Sequence, residues 1–311
     1  MTEHDRLTSS LLAEAAAPPA SPPAPTVSPE PGTTEAVGPP VVVINGRQNQ
    51  VAFQLAELWR YRELILFFAW RDISVRYKQA VLGIGWAIFG PLMTMLVFTV
   101  VFGQIAGLGA QTGGVPYELI SLSAVLPWTM FASCLNLGSN SIVGNANLIR
   151  KVYFSRLVIP LSSVGSPLVD FTVASTVMFG LMAYFGVALT PQILLLPLLV
   201  LGALLAATGV SMILSAVMTT YRDVRHVIAF LVQLWMYVTP VAYTIDMIPE
   251  RWQWAVMINP VSGIIHGFRG AFLGTELHWD LVARSLAMAA ALFLIGLLWF
   301  IRAERRFADL I

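Results

Sequence analysis

Six apolar runs dominate this sequence, at about residues 80–106, 116–143, 159–188, 192–218, 227–245 and 281–301. Crossing the hydrocarbon core of a bilayer takes about 20 residues of helix, and longer runs tilt or kink. Barrel strands are about half that length, so runs of this size are spanning helices whose backbone groups bond within each segment. The expected fold is all-α, a polytopic membrane protein with six transmembrane helices. Composition agrees: 57% of residues are hydrophobic and 11% charged, where soluble domains carry about 25% charged residues.

Charge placement orients the bundle. Arg60, Arg62, Arg71, Arg76, Lys78, Arg150, Lys151, Arg156, Arg222, Arg225, Arg302, Arg305 and Arg306 all flank the runs on one side. Only Arg251, Arg269 and Arg284 fall on the other. Basic flanks stay cytoplasmic, which places both termini inside. The net charge of +1 gives no reason to expect a nucleic-acid partner.

Residues 1–50 read differently. Nine of the 19 prolines lie there, with no aromatic residue in the first 45 positions. Such a segment buries too little to offset its ordering entropy, so a disordered, Pro-rich cytoplasmic tail is expected. Residues 51–79 are expected to form an interfacial amphipathic helix and a basic connector. Trp59, Tyr61 and Trp70 suit the headgroup layer, and Arg71, Arg76 and Lys78 anchor the inner face. Residues 80–311 form the transmembrane domain.

The chemistry-bearing residues are few. The only lysines, Lys78 and Lys151, do not follow a GxxxxG run, so there is no P-loop and no ATP hydrolysis by that route. His4, His226, His266 and His278 lack metal-ligand spacing, so no metal or cofactor is expected in this chain. Asp170 is the one carboxylate deep in a run; it needs a partner, water or a proton, and an interhelical hydrogen bond is the expected answer. Trp86, Phe89, Phe98, Trp128, Phe131, Trp235, Tyr237 and Tyr243 put rings in the first, second and fifth runs. Packing explains any one of them; together they could line a sugar path. Residues 246–280 are too interrupted to span and split at Asn259-Pro260, where Asn suits a helix cap and Pro the first turn.

Three segments carry a family resemblance. Arg71, Asp72, Arg76, Tyr77, Lys78, Gln79, Leu82, Gly83 and Trp86 resemble the RDxxxRYKQxxLGxxW segment of ABC type-2 exporter permeases, the branch exporting O-antigen, capsule and teichoic-acid polymers; Ala80 stands where the family often has Thr or Ser. Asn147, Leu148, Ile149, Lys151, Phe154 and Arg156 are similar to the family's NLIxKxxFPR coupling helix, with Ser155 in place of Pro. Asn259, Pro260, Phe268 and Arg269 match its outer NPxxxxxxxFR pattern. The resemblance covers about residues 55–311. It implies a homodimeric permease for a lipid-linked polysaccharide in the bacterial inner membrane, surrounded by membrane lipids. A separate ABC ATPase subunit, in two copies, would bind ATP and Mg. It also implies short outer gate helices between spans five and six, with Trp252, Asn259, Pro260 and Arg269 as gate residues. ATPase coupling falls to Asn147, Leu148, Ile149, Arg150, Lys151, Tyr153, Phe154, Arg156, Arg222 and Asp223. Rival readings are a type-2 permease for a small lipophilic compound or lipid, and a secondary transporter, for which Asp170 alone is thin support.

Overall fold

The computed structural model describes residues 57–78, 83–152, 154–221 and 223–310, with side chains to residue 304. The tail assigned to residues 1–50, along with Tyr153 and Arg222, lies outside the described residues. Among the described residues every regular element is helical.

Helix α1, Arg62–Lys78, contains no Gly or Pro to stop it, and so continues through Arg71, Arg76 and Lys78 where a connector was expected. Helix α2, Gly85–Phe98, passes Pro91 and then widens into a π-helical stretch, Thr99–Ile105. Helix α3 is Tyr117–Gly144. Short helices α4, Ala146–Lys151, and α5, Val158–Ser162, lead into α6, Gly165–Phe185. A 3-10 turn at Pro191–Leu195 starts α7, Leu196–Thr220. Then come α8, Val224–Val238, α9, Glu250–Ile258, α10, Ser262–Leu273, and α11, Trp279–Leu310.

Among the described residues five helical stretches are long and apolar enough to cross a membrane: Gly85–Ile105, Tyr117–Gly144, Val158–Phe185, Pro191–Thr220 and Trp279–Glu304. The chain is thus a multi-pass membrane protein. The run at 227–245 does not make a sixth such helix. Pro240 pushes Thr239 into an extended conformation, φ −87° and ψ 139°, and α8 stops at Val238 after 15 residues. At 1.5 Å per residue that is roughly 22 Å, short of a bilayer core of about 30 Å.

Helix α3 is the axis of the fold. Of its apolar window, 78% is buried inside the protein, against 11% for Gly85–Ile105. Helix α7 packs along both α3 and α11. The α7–α11 crossing is close because it is made at glycines. A Cβ on Gly209 would stand 2.5 Å from the Leu292 carbonyl oxygen, and one on Gly296 would overlap the Gly209 backbone. In lipid, where tails are as apolar as side chains, such backbone approach is what holds helices together. A second apolar cluster, with Phe68, Ile142, Phe154, Leu157 and Phe300, closes the end of the bundle that carries Arg150 and Lys151.

Candidate functional site

Three regions gather the chemistry, and the first is the basic loop after α3. Helix α4 has only six residues, and it turns Leu148 and Ile149 back onto the second cluster. Phe154 is buried against Phe68, with ring centroids 5.8 Å apart. The Arg71 guanidinium lies 4.9 Å over the Phe68 ring and donates to Asn145 Oδ1 at 3.1 Å. On the other side, Arg156 donates from its backbone N–H to Glu304 Oε1 and from Nη1 to the Glu304 carbonyl, at 3.2 and 2.6 Å. The loop is therefore held between α1 and the end of α11. What it presents outward is Asn147, Arg150, Lys151 and Val152, the last 52% exposed. The apolar residues expected as a docking knob face inward. Val152 supplies exposed apolar surface beside Arg150 and Lys151 in the sequence, both also exposed. Asp223, expected in a second contact, precedes α8 without a side-chain cap bond.

Asp170, the sixth residue of α6, is met by α1. Arg76 Nη2 lies 3.0 Å from Asp170 Oδ2, and the Tyr77 hydroxyl donates to Oδ1. Burial and the bond to Asp170 both raise the Tyr77 hydroxyl above its usual range. Arg76 also donates to Ser166 Oγ at 3.2 Å. Of the three expected anchors, Arg76 thus pairs within the protein, Arg71 pairs with Asp72 at 2.7 Å, and Lys78 is exposed.

The second region is a pair of adjoining clefts between α2, α3, α6 and α8. The larger, about 480 Å³, is lined by Phe98, Trp128, Asn136, Gln233 and Tyr237 among others. The smaller, about 270 Å³, reaches Trp86, Arg76 and Asp170. Thr94, Thr129 and Ser133 line both, so the two join. The expected ring-lined path is only partly present. Phe98 and Trp128 border the larger cleft yet are almost wholly buried. Phe131 is fully buried and packs edge-on to Trp235 at 5.2 Å, in a wall behind the cleft. Phe89 is exposed on α2 and lines neither cleft, and Tyr243 lies beyond the end of α8.

The third region is the break after α8. Residues 239–243 expose carbonyls that no helix satisfies, and side chains from elsewhere cover them. Arg269 of α10 donates to Pro240 O at 3.2 Å, Val241 O at 3.3 Å and Tyr243 O at 3.4 Å. The Tyr117 hydroxyl donates to Ala242 O. Asn259 donates to Thr239 Oγ1 at 2.9 Å, while its own Oδ1 accepts from Trp235 Nε1 and from the Val261 N–H, both at 3.1 Å. Asn259 is thus a staple and turn-former, with Pro260 buried beside it, and α10 begins two residues later than the Asn-Pro signal indicates. Burial lowers the Arg269 guanidinium to about 10, which leaves it charged at neutral pH. His266, one turn earlier, stacks on His278 at 4.9 Å and accepts the His278 backbone N–H through Nε2. Burial, then the neighbouring His278 and Arg269, push His266 down to about 4. Of the expected gate residues, Asn259, Pro260 and Arg269 are buried, whereas Trp252 on α9 is exposed.

Known proteins resemble this chain over much of its length. The ABC-2 type transporter family matches residues 63–273. The O-antigen export system permease protein RfbA of Klebsiella pneumoniae is 28% identical over 252 residues, 80% of this chain and 95% of that protein. The protein of the same name from Myxococcus xanthus is 28% identical over 219 residues, 70% of this chain and 82% of that protein.

Proposed function

This chain belongs to the ABC-2 type transporter family, as the match over residues 63–273 shows, and on that premise we propose that it is the permease subunit of an exporter for a lipid-linked polysaccharide of the O-antigen kind. The permeases it resembles over most of their length are named for O-antigen export. It sits in the bacterial inner membrane with both termini cytoplasmic, as the basic flanks require. It works as a homodimer with two copies of an ABC ATPase, which bind the ATP and Mg. The chain has no P-loop of its own, so the energy comes from that partner.

The basic loop carries this reading. Its outward face offers Val152 together with Asn147, Arg150 and Lys151, and an apolar side chain among polar ones is how a small interface concentrates its contact energy. Clamped to α1 by Phe68 and Arg71 and to α11 by Glu304, the loop passes a push from the ATPase into both helices. The test is co-purification in mild detergent. The wild-type permease retains its co-expressed ATPase, and Val152→Asp with Lys151→Glu releases it while the permease stays folded. Equal recovery of the ATPase by both forms contradicts the assignment.

A further inference from the structure

The joined clefts have a lining whose hydrogen-bonding character differs from the rings expected there. Helix α3 is buried almost all round, and one strip of it stays accessible. Thr129, Ser133, Asn136 and Asn140 follow one another along that strip at spacings of four, three and four residues, which puts them on one helical face. Thr94 of α2 and Gln233 of α8 share the larger cleft with the first three. Six uncharged polar side chains at membrane depth are costly against lipid and mark a wetted path.

Most of these groups have already used a donor. Thr94 donates to Gly90 O at 3.1 Å, and Thr129 to Leu126 O at 2.9 Å. Asn136 donates to Ala132 O at 2.9 Å, and Asn140 to Asn136 O at 2.8 Å. Each keeps its oxygen lone pairs. A hydroxyl has one proton and an amide two, so among the six side chains free acceptor sites outnumber free donors by about two to one. Among the described residues lining the two clefts the one cation, Arg76, is already paired with Asp170.

We infer that this strip is the contact surface for the exported chain, and that it takes neutral, hydroxyl-rich sugars in preference to anionic polymers. A sugar hydroxyl donates to the waiting oxygens. A phosphate or carboxylate offers only further acceptors and meets lone pairs without a counter-charge. The contacts are weak and repeated along α3, as passage of a long chain requires, and the rings of Phe131 and Trp235 stiffen the wall behind. This assignment names the substrate class of the exporter proposed above and rests on that reading.

Labelling of a single thiol tests it. Cys134, the one cysteine of the chain, is buried and is replaced by alanine. Ala132→Cys then places a reporter in the larger cleft without removing any of the six groups, and Glu276→Cys, exposed between α10 and α11, is the control. The permease with its ATPase, in nanodiscs, is exposed to a polar maleimide. The probes are a neutral malto-oligosaccharide and a polygalacturonate oligomer of equal length. At twice its dissociation constant the neutral oligomer slows labelling at Ala132→Cys about threefold by mass action, and leaves Glu276→Cys unchanged. The anionic oligomer has less effect. Asn136→Leu or Gln233→Leu, added to the reporter, abolishes the protection while the protein elutes and melts as before. Equal protection by both probes overturns the inferred selectivity. A reporter that never labels, because lipid or a second copy fills the cleft, overturns the assignment. Loss of the ATPase from the preparation would count against the exporter reading instead, and labelling would still answer for the strip.

Discussion

Replacing Arg269 by methionine removes the group that satisfies three carbonyls in the break after α8. The three hydrogen bonds are 3.2 to 3.4 Å long, at the weak end for a charged donor. Each is therefore worth about 1 kcal/mol, near the mean for a protein hydrogen bond. Buried carbonyls left without partners cost about 1–3 kcal/mol each. Against that, burying a guanidinium is itself unfavourable, and among the described residues no carboxylate lies within ion-pair distance of it. These opposing effects leave a net loss of about 3 kcal/mol, which for a chain of this size lowers the melting temperature by roughly 6–12 °C. The assay is thermal unfolding in detergent, followed by tryptophan fluorescence, because Trp235 is bonded to the same assembly through Asn259. Arg269→Lys keeps the charge but not the forked donors and falls between. Tyr117→Phe removes the neighbouring bond to Ala242 O, so the double variant deviates from additivity by about 0.5–3 kcal/mol. A methionine variant that melts within a degree of wild type, or strict additivity with Tyr117→Phe, refutes the argument that side chains hold this break.

Further outcomes follow from the same geometry. Gly209→Val forces apart the α7–α11 crossing and causes loss of folded protein on size exclusion, because its Cβ meets Leu292 backbone that has no freedom to move. Phe154→Ala lowers stability by about 3–5 kcal/mol in a denaturation series, whereas Arg150→Glu leaves stability unchanged within about 0.5 kcal/mol and weakens ATPase retention. His266 has a folded pKa below its unfolded value, so the unfolded chain binds more protons between about 6.5 and 4. Stability is full above about pH 6.5, falls by up to about 3 kcal/mol as pH drops toward 4, and His266→Gln flattens that slope in melting curves.

The long runs of apolar residues made the five spanning helices legible without a structure, because length and hydropathy alone decide whether a helix can cross lipid. The same measure carried the fifth run past Pro240, where backbone geometry rather than polarity ends α8. The basic loop was legible as a short, charged segment, but not its facing. Leu148, Ile149 and Phe154 look like an apolar knob until α1 is seen to cover Phe154, and Val152, in extended backbone after α4, is left outside. Asp170 called for a partner, and the sequence already held Arg76 and Tyr77; only the return of α1 against α6 showed that these were the partners. The rings drew attention to the second and fifth runs, while the cleft between them is also faced by Thr129, Ser133 and Asn136. The spacing of four, three and four residues from Thr129 through Ser133 and Asn136 to Asn140 is the signal of that strip in the sequence.

The proposed permease moves its cargo only when a separate ATPase drives it. Proteoliposomes holding the purified chain, with and without that ATPase, loaded with lipid-linked polysaccharide and given ATP and Mg, measure this directly. The expected result is transfer of glycan across the bilayer only when the ATPase and hydrolysable nucleotide are both present. Transfer by the permease alone, or at an equal rate without nucleotide, contradicts it.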